Sequence, residues 1–175
     1  MPLKCECGGT LRRAKFASLD FSPFAGLPVE LRGAPGLRCD RCKGETLDGA
    51  IVNGVLAILT QEVVMLARGL APQEAKYLRK QLGLSQRELA ERMQLARETV
   101  AAWECGQKPL SPQSDYILRG LVISDRRPLP SAVLSSDVLE RALGQVHTPA
   151  KPRKLPQPFV IAAQLKQLRA ITAHA

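Results

Sequence analysis

Residues 84–104 read LSQRELAERMQLARETVAAWE, a stretch that predicts two short helices joined by a tight turn. Ser85 and Glu88 stand three residues apart at its start, which is the spacing of a capping box, so a helix is predicted to begin there. Leu89 and Met93 lie one helical turn apart and are predicted to face a core. The first helix therefore carries both a start signal and an inward face.

The second helix of this stretch is predicted to begin near Arg97, after a turn over residues 94–96. Val100 and Trp103 give this helix an inner face that packs against the first helix. Its predicted outer face carries Arg97, Glu98, Ala101 and Ala102. Glu104 follows at the helix end, where we expect it to bond within the domain.

Four of the five cysteines form two pairs, Cys5 with Cys7 and Cys39 with Cys42. Two such pairs far apart in sequence are typical of a zinc ribbon, in which four thiolates surround one ion. Four thiolates close the coordination shell, so we predict a structural zinc site. The first pair is one residue tighter than the usual knuckle, and the alternative is that it holds free thiols and no metal.

The overall composition favours a polyanionic partner, nucleic acid first, because the net charge is +9. Residues 1–15 lack the apolar stretch of a signal peptide, and the apolar segment 50–67 is too short and too polar to span a bilayer. We therefore expect a cytoplasmic protein with reduced thiols and no membrane partner. No paired carboxylates, Ser-His-Asp set or phosphate loop is apparent, so an enzyme is not expected.

The chain is predicted to divide into four parts. Residues 1–48 form the cysteine module, with strands predicted over 15–21 and 29–32 and a turn over 33–36. The remaining parts are a linker helix within residues 49–70, a helical domain over 71–123, and a proline-rich basic tail over 124–175.

Helix boundaries are predicted from local signals. Residues 51–68 are predicted as one helix that ends at Gly69, and Pro72 suits the first turn of the next helix, which Gly83 terminates. In the tail, residues 135–143 and 158–172 are candidates for short amphipathic helices.

The helical domain resembles the lambda-repressor-like, or Xre-type, helix-turn-helix family. The resemblance is carried by Leu84-Ser85-Gln86, Glu88-Leu89-Ala90, Glu98-Thr99-Val100 and Trp103-Glu104-x-Gly106-x-Lys108-Pro109. It implies a five-helix domain whose second motif helix enters the major groove. It also implies that Arg97, Glu98 and Ala102 face bases, whereas Gln86, Thr99 and Lys108 contact phosphates.

Two positions depart from the pattern of that family. Gln94 stands where glycine is frequent and must take a left-handed conformation, at about 1 kcal/mol. Ala96 stands in place of a serine or threonine cap, which forfeits about 1 kcal/mol. Neither substitution forbids the fold.

The two modules together resemble the MqsA/YgiT-type zinc-finger antitoxins over residues 1–122. The matching segments are Leu27-Pro28-Val29-Glu30-Leu31, Gly33-x-Pro35-Gly36, Cys39-x-x-Cys42 and Gly44-Glu45. The resemblance implies a homodimer joined through the C-terminal domain, a palindromic operator and a toxin bound by the N-terminal module.

The sequence thus predicts a mainly α protein with a small α+β zinc-ribbon-like module and a five-helix helix-turn-helix domain. We expect a sequence-specific DNA-binding regulator, an antitoxin-like autorepressor. The alternative is a protein-interaction module whose main role is to bind and neutralise a partner toxin.

Overall fold

The computed structural model describes residues 3–125 and 159–162 of the chain. They form two compact units, one containing the described residues up to Leu56 and the strand at 159–162, the other running from Ala57 onward. In the part that is described, no helix is long and apolar enough to cross a membrane.

The first unit is built on a small sheet. Strand β1 (Leu11–Asp20) leads through the short helix α1 (Ser22–Ala25) into β2 (Val29–Cys39), and β3 is Glu45–Thr46. β1 and β2 pair antiparallel along nearly their whole lengths, with Leu11 opposite Cys39 and Asp20 opposite Glu30. The fully or nearly fully buried side chains of this unit include Phe16, Phe21, Leu27, Val29, Leu31 and Ala34.

Strand β2 is longer than the sequence predicts. We expected it to end at the turn Gly33-Ala34-Pro35-Gly36, but the strand continues through this segment to Cys39. Gly33 adopts a left-handed φ of 69°, which glycine reaches without strain. Gly36 lies so close to Phe16 that an added Cβ would meet the ring at 2.3 Å, so these residues serve close packing of β1 on β2.

A fourth strand joins this sheet from the C-terminal tail. Strand β4 (Phe159–Ala162) pairs parallel with β2, placing Val29 opposite Phe159 and Arg32 opposite Ala162. The sequence predicts a helix over 158–172, and for these four residues the prediction is wrong, because pairing with a distant strand overrides local helical periodicity. The rest of that segment, the predicted helix 135–143 and the basic stretch between them lie outside the described residues.

Helix α2 spans Gly49–Val64 and ends four residues before the predicted Arg68. The reason is a buried guanidinium. Arg119 donates to the carbonyl oxygens of Val64 (2.6 Å), Leu66 (2.8 Å) and Arg68 (2.6 Å). Because these carbonyls accept hydrogen bonds from a side chain, the helix can end here without leaving buried carbonyl oxygens unpaired.

The second unit holds the C-terminal half of α2 and four helices in a bundle: α3 (Pro72–Gln81), α4 (Gln86–Arg92), α5 (Arg97–Glu104) and α6 (Pro112–Ser124). Pro72 occupies the first turn of α3, and Gly83 follows its end with a φ of 67°, as predicted. The apolar side chains in the core of the bundle include Tyr77, Leu78, Leu82, Leu89, Val100, Trp103, Leu118 and Val122.

Candidate nucleic-acid interface and metal centre

The four predicted cysteine ligands lie together. The sulfur of Cys5 is 3.7 Å from that of Cys42, and the sulfur of Cys7 is 3.5 Å from that of Cys39. All four sulfurs lie within 4.8 Å of one another. A tetrahedron with metal–sulfur bonds of about 2.3 Å has edges of roughly 3.8 Å, so the donor set fits a metal ion such as zinc.

Backbone turns present these sulfurs to one another. After the first pair, the amide of Gly8 donates to the carbonyl of Cys5 at 2.8 Å, and Gly8 has a left-handed φ of 81°. A Cβ on Gly9 would lie 2.6 Å from the sulfur of Cys39. Glycine at this position therefore allows the two turns to approach closely enough for four sulfurs to meet, despite the short spacing of the first pair.

The thiols of the cluster differ in acidity. Backbone amides, that of Cys42 first, donate to the sulfur of Cys39 and lower its pKa to about 6 in spite of burial. The Cys7 amide acts to lower the pKa of Cys5, but hydrogen bonds that the protonated Cys5 thiol donates to the sulfurs of Cys7 and Cys42 outweigh it and raise that pKa to about 12. A buried thiolate stabilised by amides is the form that ligates metal.

The start of the helix-turn-helix is capped as the sequence predicts. The hydroxyl of Ser85 accepts from the amide of Glu88 at 3.2 Å, and the carboxylate of Glu88 accepts from the amide of Ser85 at 2.7 Å. Leu89 and Met93 are buried. The first helix of the motif is thus fixed in both its start and its rotation.

The turn before α5 has the two predicted irregularities. Gln94 has a left-handed φ of 54°. Ala96 takes the extended N-cap conformation, and its methyl side chain makes no cap hydrogen bond. The amide of Leu95 donates to the carbonyl of Ala90 at 2.8 Å, which closes the turn across α4 and holds the start of α5 in place.

Helix α5 buries one side and exposes the other. Val100 is fully buried and Trp103 is 3% exposed. Arg97 and Glu98 are exposed, and Thr99, Ala101 and Ala102 are half-buried. Beyond the helix, Lys108 is exposed, and its amide donates to the carbonyl of Ala102 at 3.2 Å. The predicted DNA-facing residues of α5 and its C-terminal loop are therefore on accessible surface.

Glu104 instead binds within the domain, as expected. Its carboxylate accepts from Arg79 Nε at 2.6 Å and Nη2 at 2.9 Å, and from the side-chain amide of Gln86 at 2.9 Å. Burial works to raise the pKa of Glu104, but these hydrogen bonds lower it overall. Gln86, a predicted phosphate contact, thus donates one side-chain N–H to Glu104, and its amide carries a second N–H that can donate elsewhere.

Residues 76–114 match the sequence model of the family described as Helix-turn-helix. The chain contains an Xre-type helix-turn-helix domain. Comparisons with curated proteins and with solved structures give no match. Domains of this type are DNA-binding and regulatory, and they are typically not enzymes, so the domain suggests a DNA-binding regulator.

The sequence does not indicate the polar groups that hold the helix-turn-helix domain together. Arg79 lies in the last turn of α3 and gave no signal, because its partner Glu104 is 25 residues away. Asp115 bonds to Arg119 at 2.6 Å and accepts from the amide of Leu70 at 2.9 Å. The one available signal was an i,i+4 acid–base pair on α6 at positions where the apolar pattern predicts burial.

Proposed function

We propose that this protein is a sequence-specific DNA-binding transcriptional regulator that acts in the cytoplasm as an antitoxin-like autorepressor. The observation that carries the proposal is the two-sided surface of α5, with Val100 and Trp103 buried and Arg97 and Glu98 exposed. A short helix anchored in this way can lie in the major groove with its polar side along base edges.

Each exposed residue of α5 has a chemical role in this proposal. The exposed Arg97 guanidinium can pair with guanine O6 and N7, and the exposed Glu98 carboxylate can accept from cytosine N4. Ala102 offers a methyl group to a thymine. Thr99, Lys108 and the remaining amide donor of Gln86 contact phosphates, which position the domain without carrying sequence information.

A palindromic operator follows if the chain is a homodimer, as in the family that it resembles. Two copies related by a two-fold axis place two α5 helices in successive major grooves, about 34–36 Å apart. Each half-site then offers the same bases to Arg97 and Glu98. Sedimentation of the free protein and of its DNA complex tests this arrangement.

We further propose that the cysteine cluster holds one structural zinc ion. Four sulfurs occupy the whole tetrahedral shell, so no position is left for a substrate or a reactive water. The first unit is small and its sheet has few strands, and a bound ion would supply folding energy that so small a core lacks.

The test is a quantitative gel shift with the DNA upstream of the chain's own reading frame, at stated salt, against scrambled DNA of the same length. We expect Arg97→Ala to weaken operator binding by about 1–3 kcal/mol and to relax preference at one base pair. Arg87→Ala is the matched control, because Arg87 is also a charged, exposed arginine but lies on α4, paired with Glu91 at 3.2 Å.

The control should leave the ratio of operator to scrambled affinity unchanged. An equal loss by Arg97→Ala on all sequences would show that Arg97 touches only phosphate. If the wild-type protein does not bind duplex DNA even at low salt, the proposed function is refuted.

The second candidate is a protein-interaction module that binds and neutralises a partner toxin through its N-terminal unit. The observation that favours it is an exposed aromatic: Phe24 on α1 is 54% exposed, with its ring stacked on the buried Phe21 at 5.1 Å. A rigid aromatic held out to solvent is typical of an interface anchor.

Co-expression with the neighbouring reading frame tests this candidate. We expect the pair to co-purify, Phe24→Ala to weaken the complex at least tenfold (about 1.4 kcal/mol), and Tyr116→Ala, an exposed aromatic on α6, to leave it unchanged. If Phe24→Ala and Tyr116→Ala bind the partner equally well, Phe24 is not the anchor of the interface.

A further inference from the structure

Strand β4 docks on one short segment of β2. It pairs with residues 29–32, and the amide of Phe159 donates to the carbonyl of Pro28 at 2.9 Å. The sheet order gives β4 no neighbour other than β2 among the described strands. The C-terminal strand thus covers a stretch of β2 edge that would otherwise present unpaired amides and carbonyls.

The hydrogen-bonding direction of each residue follows from the alternation of a strand. Because the Phe159 amide faces β2, the Ile161 amide faces β2 as well, whereas the Val160 amide faces away. On β2, the carbonyl of Val29 accepts from Phe21 on the β1 side at 2.8 Å. Successive residues of a strand point their amides and carbonyls to opposite edges. The amides of Glu30 and Arg32, one and three residues after Val29, therefore face β4.

Three features make β4 an exchangeable strand. Among the described residues it pairs over four positions, whereas β1 pairs with almost all of β2. The pairing is parallel, which is slightly less stable per residue than antiparallel pairing. Its sequence, Phe-Val-Ile-Ala, is uncharged and apolar, and Phe159 remains half-buried rather than buried.

We propose that the β2 edge at residues 29–32 is a strand-addition site for an extended, uncharged apolar segment of a partner protein. The chain's own residues 159–162 occupy the site and show which chemistry fits it. A partner strand entering parallel to β2 must displace β4, so β4 limits access to this edge. This site is separate from α5, and its test is independent of DNA binding.

The first measurement is amide hydrogen exchange on the full chain. Ile161→Pro removes a donor that faces β2, whereas the matched variant Val160→Pro removes one that faces away. We expect Ile161→Pro to accelerate exchange at Glu30 and Arg32 at least tenfold and Val160→Pro to leave both protected. Leu19, paired with Leu31 between β1 and β2, should stay protected in both variants and report that the sheet is folded.

The second measurement uses a fluorescein-labelled peptide with the sequence of residues 157–163, Gln-Pro-Phe-Val-Ile-Ala-Ala. If the site in the wild-type chain is open a tenth of the time or less, Ile161→Pro should bind the peptide at least about tenfold more tightly than the wild type or Val160→Pro. A control peptide with proline at the isoleucine should not bind.

Two results would overturn the proposal. One is peptide binding that is the same in all three chains, or that survives proline in the peptide, since neither depends on the β2 edge. The other is faster amide exchange at Glu30 and Arg32 when the wild type is diluted. A dependence on concentration would mean that the strand paired with β2 comes from a second copy of the chain.

Discussion

Glu104 shows how a single residue couples the stability of the DNA-binding domain to pH. Its side chain is 4% exposed and accepts the two-pronged hydrogen bond from Arg79. The pKa of Glu104 is lower in the folded chain than the ordinary value of about 4.3. The carboxylate therefore stabilises the fold at pH values above that ordinary pKa, and this contribution is lost as the pH falls through the folded-state value.

We predict that Glu104→Gln lowers the free energy of unfolding of this domain by about 3 kcal/mol at pH 7, because Arg79 loses its counter-ion while nearly buried. The variant should also lose less stability than the wild type as the pH falls below the ordinary carboxyl pKa of about 4.3. Urea unfolding followed by the emission of Trp103, the single tryptophan, measures both effects.

Glu91→Gln is the matched control, since Glu91 pairs with Arg87 at 3.2 Å on exposed surface. Such a pair contributes about 0–1 kcal/mol. If both glutamine variants unfold at the same urea concentration, the Arg79–Glu104 pair is not the support that its geometry indicates.

At the scale of an element, α5 begins without a side-chain cap. Ala96 is exposed and already holds the extended N-cap conformation, with a φ of −72° and a ψ of 142°. We predict that Ala96→Ser stabilises the domain by about 1 kcal/mol, since a hydroxyl there accepts from an amide of the first turn. Thermal unfolding, monitored by Trp103 emission, measures the change.

Ala101→Ser tests the reason for that gain. The same substitution in the interior of α5 adds no cap and replaces the best helix former, so it should destabilise by a few tenths of a kcal/mol. Shifts of the same sign in the two variants would mean that capping is not the cause.

The elements that sequence predicted well are those specified locally. The capping box of Ser85 and Glu88, the start of α5 at Arg97 and the left-handed Gln94 each depend on residues within one or two turns. The full length of β2 and the existence of β4 depend on pairing between residues distant in the chain. No local pattern near Phe159 indicates which strand it will meet.

The same distinction holds for the candidate sites. The cysteine cluster was predictable because two cysteine pairs far apart in sequence are the pattern of a four-thiolate metal site, in which the four sulfurs lie together. The end of α2 was not, because it is set by Arg119, more than fifty residues further along the chain. Buried ionic partners follow no sequence period and are found only once the helices are packed.

At the scale of the molecule, the two units depend on different sources of stability. The first has the four-sulfur cluster and a small apolar core, and the second has the bundle of α3–α6. We predict that a strong chelator removes one zinc ion per chain and the sheet signal of the first unit in circular dichroism. The emission of Trp103, which lies in the second unit, should stay unchanged.

Cys39→Ser and Cys105→Ser form a matched pair for this prediction. Both remove one thiol, but Cys105 is exposed and outside the cluster. Elemental analysis should find little zinc in Cys39→Ser and the full amount in Cys105→Ser. Full zinc content in Cys39→Ser would contradict the proposed ligand set.

The guanidinium of Arg119 has a consequence for how the chain can be cut. Residues 65–70 follow the end of α2, where a protease would ordinarily find an accessible connection. Arg119 donates hydrogen bonds to the carbonyls of Leu66 and Arg68, and the Asp115 carboxylate accepts one from the amide of Leu70. Peptide bonds held this way cannot relax into the extended shape that a protease cleft requires, so limited digestion should leave this connection intact.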